Sequence, residues 1–426
     1  MKSRFASRFR SRFRSRFRAA VASLALGTLC VATPASGAEP VPEVTTGPVF
    51  NDPSGDAAAE ERILRHLGSL VDGAEPQSTI RISLYLYQSG WMTEKLKAAH
   101  TRGVSVQMVL DADATSTATT GLKQWVESQP GGDSWVRMCK PEEACLAKDP
   151  GTTAADPNGT YDNVNHNKFF LFSRTKGVDN VLVQSSGNLT ASDLRDWWND
   201  AMTVAGNKAL FDAYTAYFAD QAGAAVGEVA KVSDYAHDTQ AGVAKVYFFP
   251  RSTTDVVVNV LKTVAQPIEG QEACHGNDPG FGTSDGRTKI RIAQGHITRP
   301  AVAEELWNLA NAGCYVEVVY RKLDNPPSTA VAGWLTKPTA KGRIALHQLY
   351  NDERGGTGTH TKYLLVEGTY LGGKNKKIVF TGSHTYTLTA LKYNDETMLK
   401  YEDSAVFDAY VRNFEAQRAA AVNEGL

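Results

Sequence analysis

The sequence predicts an α/β protein made of two similar halves, in which helices cover mixed or parallel sheets. The first observation is a repeat: Ile80-Arg-Ile-Ser-Leu opens an alternating apolar run, and Ile290-Arg-Ile-Ala repeats this opening 210 positions later. The second is that later apolar runs are short and continuous, which is typical of strands buried on both faces. The third is that 42% of the 426 residues are hydrophobic, which excludes wholesale disorder and a polytopic membrane protein.

Each copy of the repeat predicts a strand, an amphipathic helix, a glycine that ends the helix and a second strand. The predicted helices are 57–70, 93–101, 255–265 and 301–311. Besides the two strands that open the copies, the predicted strands are 104–110, 169–172, 181–183, 315–320, 363–366 and 378–380. Two β-α-β units of this kind predict helices packed on buried sheets.

The chain divides into four predicted segments. Residues 1–38 have the pattern of a signal peptide, 39–222 form the N-terminal half, 223–244 are an Ala/Gly-rich junction, and 245–426 form the C-terminal half. Within the first half, residues 115–163 are rich in Gly, Thr and Asp. They predict a surface loop insertion with one short helix near 122–127.

The N-terminal segment predicts export. It carries eight Lys or Arg and no acidic residue, then an apolar stretch too short to span a bilayer comfortably, then the small residues Ser36-Gly37-Ala38. We expect a secreted protein that begins at Glu39. A retained membrane anchor, or lipidation at Cys30, is the alternative. Without this segment the net charge changes from −1 to −9, which disfavours a nucleic-acid groove.

The cysteines of the exported chain predict disulfides. Four remain after the signal segment, an even number in an oxidising compartment, and three pairings are possible. The economical pairing links Cys139 with Cys145 across a polar loop and Cys274 with Cys314. No Cys-x-x-Cys pair suggests a zinc site, and we expect neither a metal nor another cofactor.

A His-x-Lys motif opens an apolar run in each half, as His166-Asn-Lys168 and His360-Thr-Lys362. One such tripeptide is uninformative, whereas two at equivalent places in a duplicated fold are a specific signal. Alternate residues of a strand share a face, so the His and Lys of each motif point to the same side. If the halves pack about a pseudo-two-fold axis, the two pairs meet across one cleft and can hold a phosphate diester.

Each motif is followed by a Ser-containing turn and then by a carboxylate. The turns contain Ser186 and Asn188 in the first half and Ser383 in the second, and the carboxylates are Asp200 and Glu396. The turn residues are candidates for binding the phosphate. The carboxylates are candidates for the acceptors that fix the histidine tautomers, with ordinary surface carboxylates as the alternative.

This arrangement resembles the phospholipase D superfamily, whose mark is a duplicated His-x-Lys-x4-Asp motif followed by a Gly/Ser-x-Asn turn. The sequence departs from that pattern at Ser173 and Glu367, which replace the motif Asp, and at Thr385, which replaces the second turn Asn. The resemblance implies two α/β/α halves with the active site between them. It also implies a metal-independent reaction through a phosphohistidine, and that loss of the motif Asp does not exclude activity.

The chemistry of imidazole suggests the roles. A neutral ring can attack phosphorus while a protonated ring donates to the leaving alkoxide; water then attacks the phosphohistidine with the second ring as base. We favour His166 as the nucleophile because its half keeps Asn188 where the other has Thr385. Lys168 and Lys362 would stabilise the charge on the non-bridging oxygens.

Several of these residues have simpler interpretations. A lone His on a strand is usually structural, but the paired motifs disfavour this for His166 and His360. His384, inside the second turn, could be a third catalytic imidazole or could make a structural hydrogen bond. Trp197 and Trp198 could touch lipid or fill the core, and core burial is favoured.

The sequence therefore favours a secreted phosphodiesterase of the phospholipase D type, which cleaves or transfers the phosphatidyl group of phospholipids. We expect transient contact with a membrane surface, and a monomer, because both motifs lie in one chain. A secreted nuclease of the same superfamily is one alternative, since a basic cleft can coexist with an acidic chain. An inactive phosphate- or lipid-binding module is the other.

Overall fold

The computed structural model of the protein describes residues 44–130, 133–149, 163–323, 329–350 and 356–423. The predicted signal segment 1–38 and part of the predicted loop 115–163 lie outside these residues. From Val44 onward, the described residues belong to one compact unit. None of the helices described is both long and apolar enough to cross a membrane.

The predicted helices and strands are present, with shifted ends. The strands are β1 Gly47–Phe50, β2 Thr79–Leu84, β3 Ser105–Leu110, β4 Trp135–Met138, β5 Lys168–Thr175, β6 Val178–Ser185, β7 Trp197–Trp198, β8 Asp200–Val204, β9 Thr239–Ala241, β10 Ala244–Phe248, β11 Lys289–Ile297, β12 Tyr315–Leu323, β13 Ala345–Gln348, β14 Gly358–Thr359, β15 Lys362–Tyr370, β16 Gly373–Gly382 and β17 Thr397–Glu402. The helices are α1 Ala57–Glu60, α2 Arg62–Asp72, α3 Gly90–Thr101, α4 Thr117–Glu127, α5 Ala191–Arg195, α6 Lys208–Ala225, α7 Val256–Val264, α8 Pro300–Ala312, α9 Thr329–Thr336, α10 Leu388–Lys392 and α11 Ser404–Asn423.

The strands form two large mixed sheets and one small one. The first large sheet has the order β1-β8-β6-β5-β2-β3-β4, and the second has the order β13-β12-β11-β15-β16-β17-β10-β9. In each, three neighbouring strands are parallel and the others are antiparallel. The small sheet pairs β7 of the first half with β14 of the second. The predicted junction 223–244 contains β9, which pairs with β10 in the second large sheet.

The two halves share their strand register, which confirms the duplication. Ile80 lies opposite Val106 in the parallel pair β2 and β3, and Ile290 lies opposite Val316 in the pair β11 and β12. On the other side of these central strands, β5 pairs with β2 and β15 pairs with β11, both antiparallel. The repeat therefore places the two strands that carry the His-x-Lys motifs at equivalent positions in their sheets.

The halves also share a core. Phe169 and Tyr217 of the first half and Tyr363 and Tyr410 of the second belong to one cluster of buried side chains. The Tyr410 ring meets the Phe50 ring edge to face, with centroids 5.0 Å apart. Aromatic burial of this kind stabilises the contact between the halves, so their relative position does not depend on the polar site alone.

The region 115–163 differs from the predicted surface loop. α4 begins after Ser116, whose hydroxyl accepts the N–H of Thr119, and β4 adds a strand beside β3 at the edge of the sheet. The predicted helix is thus present but longer. The strand was missed because four residues give too little alternation to identify. Residues 131–132 and 150–162 lie outside the described part.

Two disulfides are present, Cys139–Cys145 and Cys274–Cys314, which are the pairs that the sequence favoured. The first closes the loop that follows β4. Just beyond it, the backbone N–H groups of Leu146 and Ala147 donate to the carboxylate of Asp395 at 3.0 and 2.7 Å. The loop with the first disulfide therefore holds a residue of the second half.

Peptide mapping of the purified protein under non-reducing conditions should recover both linked peptide pairs. Replacing Cys274 and Cys314 together by Ser should lower the free energy of unfolding by roughly 2–4 kcal/mol, because the bridge closes a long loop in the unfolded chain. Denaturant unfolding measures this loss. Free thiols at the four positions in the native protein would contradict the pairing.

Candidate active site

The two His-x-Lys motifs stand at the starts of β5 and β15. Lys168 and Lys362 are the first residues of these strands and have only 0% and 4% of their surface exposed. The side chains of His166 and His360 keep slightly more exposure, 15% and 18%. The lysines therefore lie deeper in the protein than the imidazole rings.

Each lysine folds back onto its own motif. Nζ of Lys168 donates to the carbonyl oxygen of His166 at 2.6 Å, and Nζ of Lys362 donates to the carbonyl oxygen of His360. Nζ of Lys362 also lies 3.3 Å from the carbonyl oxygen of Ser186, in the other half. These bonds give each buried ammonium group a polar partner. Because an ammonium group has three N–H donors, each lysine can donate to a further oxygen as well.

The acceptors behind the two rings are exchanged between the halves. Nδ1 of His166 lies 2.9 Å from Oε1 of Glu396 in the second half. Nδ1 of His360 lies 2.9 Å from Oδ1 of Asn199 in the first half and 3.4 Å from Oδ1 of Asp193. An oxygen acceptor at Nδ1 keeps the ring proton there and leaves Nε2 free for chemistry. Each half thus orients the histidine of the other.

Asp200 was predicted to stand behind a ring, and the structure places Asn199 there instead. The Asp200 carboxylate is buried and accepts hydrogen bonds from the Thr381 hydroxyl and, at 2.8 Å, from the Tyr410 hydroxyl. Burial raises the pKa of Asp200. Its side chain therefore joins the halves behind the site.

The choice of Asp200 in place of Asn199 came from aligning the two halves one residue out of register. The N–H of Ser186 donates to the carbonyl of Asp200, and the N–H of Ser383 donates to the carbonyl of Thr397. The equivalent of Asp200 is therefore Thr397, and the equivalent of Glu396 is Asn199. A shift of one residue moves a side chain to the opposite face of a strand. Ser186 and Ser383 are 197 residues apart. Subtracting the same 197 residues from Glu396 gives Asn199, so the sequence contained the information needed to identify it.

The turn residues support the acceptors. The Ser186 hydroxyl donates to Oδ1 of Asn199 at 3.1 Å, and Asn188 bonds through both its backbone N–H and its amide to the carboxylate of Asp193. Ser383 accepts the N–H of Thr397 at 3.1 Å. These contacts give the three predicted turn residues a positioning role. Direct contact between them and a phosphate stays a prediction.

Aromatic rings flank the two histidines. The centroid of the Tyr85 ring lies 5.2 Å from that of the His166 ring and 5.2 Å from Nζ of Lys168. The ring of Trp197 lies 6.3 Å from that of His360 and is partly buried. Trp198 is buried, as favoured from sequence. The neighbouring tryptophans therefore have different surroundings: the Trp197 ring flanks a histidine ring, whereas the Trp198 ring is buried and its carbonyl accepts the N–H of His360 at 2.9 Å.

Burial controls the charges of the site. It lowers the pKa of His166 and His360 well below the ordinary value, and the two lysines lower both pKa values further. It also lowers the pKa of Lys168 to about 8 and raises the pKa of Glu396 to about 7. Because every ionisable group here loses hydration, burial disfavours its charged form. A bound anion would favour the protonated forms of the histidines and lysines.

The departures from the motif pattern lie away from the rings. Ser173 and Glu367 are five residues beyond the lysines, roughly 17 Å along an extended strand. The Ser173 hydroxyl accepts the N–H of Thr79 at 2.8 Å, and Glu367 pairs with Arg291 at 3.3 Å. These positions therefore contribute to the sheet and not to the reacting centre.

His384 is buried in the second turn and remains without an assigned role. Neither of its ring nitrogens has a hydrogen-bond partner among the described residues. Burial lowers the pKa of His384 to about 3, and its ring centroid lies 4.1 Å from that of Phe249. The structural hydrogen bond considered from sequence is not observed, and the alternative of a third catalytic imidazole stays a prediction.

Within the described ranges, no group of three His, Cys, Asp or Glu side chains is placed to hold a metal ion.

The family described as "Cardiolipin synthase, PLD-like domain" matches residues 71–221 and 284–418, which together exceed half of the chain. No curated protein matches the sequence. Solved structures with a similar fold include a polyphosphate kinase and a phosphatidylserine synthase. Polyphosphate kinase from Porphyromonas gingivalis has a TM-score of 0.54 at 12% identity, with 88% of this chain and 50% of that chain covered. Phosphatidylserine synthase from Haemophilus influenzae Rd KW20 has a TM-score of 0.54 at 10% identity, with 87% of each chain covered. The present chain thus spans about half of the kinase.

The exchanged acceptors predict which histidine each substitution disturbs. Glu396→Ala should abolish the preference of His166 for a proton on Nδ1, whereas Glu396→Gln should retain it in part, because the amide keeps an acceptor oxygen. Asp200→Asn should leave the tautomer of His360 unchanged. The ¹⁵N NMR shifts of the ring nitrogens measure both. An altered His360 tautomer in Asp200→Asn, with an unaltered His166 in Glu396→Ala, would be incompatible with this pairing.

Proposed function

The chain belongs to the phospholipase D superfamily, and on this premise we propose that it is a secreted phosphodiesterase that cleaves or transfers the phosphatidyl group of phospholipids. The observation that carries the proposal is the pair of histidines, each oriented by an acceptor from the opposite half and each next to a buried lysine. Two oriented imidazoles supply a nucleophile and an acid, and two ammonium groups supply charge for a diester.

His166 is the proposed nucleophile. Its bond to Glu396 keeps the proton on Nδ1, so the lone pair of Nε2 is free to attack phosphorus. Burial lowers the pKa of His166, which favours the neutral, nucleophilic ring at neutral pH. When the Nε2–P bond forms, the ring becomes positively charged. Glu396, 2.9 Å from Nδ1, stabilises that charge through a direct hydrogen bond, whereas the carboxylate nearest to the other ring, Asp193, is 3.4 Å from its Nδ1 and the direct acceptor there is the neutral amide of Asn199.

His360 is the proposed acid. Burial and Lys362 lower its pKa, but the negative charge of a bound diester raises the pKa of a nearby imidazole. The substrate thereby favours a proton on Nε2 of His360, which passes to the leaving oxygen as the P–O bond breaks. Lys168 and Lys362 stabilise the charge on the non-bridging oxygens throughout.

The second step reverses these roles. His360, now neutral, takes a proton from water as the water oxygen attacks phosphorus and the P–Nε2 bond of His166 breaks. The products are a phosphate monoester and the original neutral His166. An alcohol in place of water forms a new diester, so the same site supports transfer as well as hydrolysis.

The N-terminal segment and the charge of the chain support the choice of a secreted lipid enzyme. The Arg-rich start followed by an apolar stretch and small residues has the pattern of an export signal, and two disulfides suit an oxidising compartment. The net charge of −9 beyond that segment disfavours a nucleic-acid groove. Because one chain supplies both motifs, we propose a monomer that contacts the membrane surface transiently.

Parallel incubation with phospholipid vesicles and with duplex DNA tests the substrate class. We expect phosphatidic acid from vesicles of phosphatidylcholine and phosphatidylglycerol, a phosphatidyl alcohol when a primary alcohol is added, and intact DNA. His166→Ala and His360→Ala should each lower turnover by roughly 100- to 10,000-fold.

His237→Ala is the matched control, because His237 is exposed and lies outside the site, so its turnover should equal that of the native protein. Cleavage of DNA without lipid turnover would replace the proposal with a nuclease. Turnover of neither substrate by folded native protein would favour a binding module.

A further inference from the structure

The two sides of the site differ in charge, although the strands that build them are equivalent. The offset that aligns β2 with β11 and β3 with β12 also aligns Asp111 with Arg321 and Tyr85 with Gly295. An acidic residue of the first half is thus replaced by a basic one in the second. An aromatic ring is replaced by a position without a side chain. The phosphohistidine mechanism requires neither difference.

Arg321 is held in a defined position on the second side. Its Cζ lies 4.7 Å from the centroid of the Trp197 ring, and its Nη2 donates to Nε2 of His296. Because arginine can only donate, His296 is the acceptor and its ring is neutral there. The Nε atom of Arg321 is buried and has no hydrogen-bond partner in the described part of the chain. The guanidinium is therefore oriented by Trp197 and His296, and because Nε is out of reach of a ligand, the terminal nitrogens are the ones that can meet an anion.

The charge of Arg321 acts on the reacting groups. Trp197, on which it stacks, has its ring 6.3 Å from that of His360. Burial is the main cause of the lowered pKa values of His360 and Lys362, and Arg321 is among the cations that lower both further. Among the described residues, no carboxylate acts to raise the pKa of Arg321. A partly buried positive charge thus lies near the proposed acid, and no carboxylate of the described residues pairs with it.

The side of the nucleophile has the opposite character. The Tyr85 hydroxyl donates to Asp113 at 2.9 Å, and the Asp111 carboxylate accepts the N–H of Asn165 at 2.7 Å, in the turn before His166. His166 therefore has Tyr85 and Asp111 in its surroundings, where the equivalent positions of the second half carry Gly295 and Arg321 near His360. The two equivalent positions thus differ in charge, acidic at residue 111 and basic at residue 321.

We propose that Arg321, held by Trp197 and His296, forms a subsite for an anionic group, a phosphate or a carboxylate, on the alcohol that leaves. The inference rests on the proposed function, because attack by His166 in line with the breaking bond places the leaving oxygen next to His360. The planar guanidinium matches the oxygens of phosphate or carboxylate. A positively charged alcohol such as choline is repelled from the same position.

Three soluble dihexanoyl phosphatidyl diesters test the subsite, with glycerol 3-phosphate, glycerol or choline as the leaving alcohol. We expect the native protein to prefer the first. Because Arg321 also lowers the pKa of His360, Arg321→Gln can shift the turnover of every diester. It should still lower the ratio of kcat/KM for the glycerol 3-phosphate diester to kcat/KM for the glycerol diester by about tenfold or more, as loss of a charge-assisted bond predicts. Arg321→Lys should retain part of the preference, because lysine keeps the positive charge but lacks the paired N–H donors of a planar guanidinium.

Arg343→Gln is the control with the same change of charge, since Arg343 donates to the carbonyl of Thr336 away from the site, and it should alter no ratio. An equal loss on all three diesters in Arg321→Gln, or a native preference for choline, would overturn the subsite while leaving the proposed function intact.

If the native protein turns over none of the diesters, the proposed function is refuted. A binding measurement then tests the Arg321 subsite by itself. The ring signal of His296 in NMR should then still shift on addition of glycerol 3-phosphate, and the shift should be absent in Arg321→Gln. An unchanged His296 signal in the native protein would overturn the subsite as well.

Discussion

The burial of two lysines and two histidines at one contact between the halves is the constraint on which the site depends. Lys168 and Lys362 lose nearly all hydration, which is unfavourable for a charged group unless oxygen acceptors replace the water. Backbone carbonyls of the two motifs, and Ser186 for Lys362, supply those acceptors. Since the ring acceptors Glu396 and Asn199 each come from the opposite half, the site exists only when the shared core holds the halves together.

Duplication explains the common plan of the halves, and the divergence of single positions gives the two rings different surroundings, which the proposed division of roles requires. The nearest acceptor of the His166 ring is the Glu396 carboxylate, whereas the nearest acceptor of the His360 ring is the Asn199 amide, with the Asp193 carboxylate farther away at 3.4 Å. The first favours a ring that gains positive charge by forming a covalent bond, and the second suits a ring that gives its proton away. Asp111 and Arg321 extend the same asymmetry to the surroundings of the rings.

The duplicated strands and both His-x-Lys motifs could be predicted from sequence, because alternation and apolar runs act locally. The hydrogen-bond acceptors of the two histidine rings were harder to predict from sequence. The spacing between the copies is 210 at the central strands, 194 at the histidines and 197 at the turn serines, since the loops differ in length. A spacing wrong by one residue selected Asp200 in place of Asn199. Asp193 was missed because only tertiary packing brings it beside a ring of the other half.

The most direct measurement of the divided roles is the site of covalent phosphate. The protein is mixed with a labelled diester whose leaving group is an activated phenol that needs no proton, then quenched and mapped by mass spectrometry. We predict acid-labile phosphate on His166 in the native protein and in His360→Ala, and none in His166→Ala. Phosphate on His360 would contradict the assignment, because it would make the ring backed by Asn199 the nucleophile.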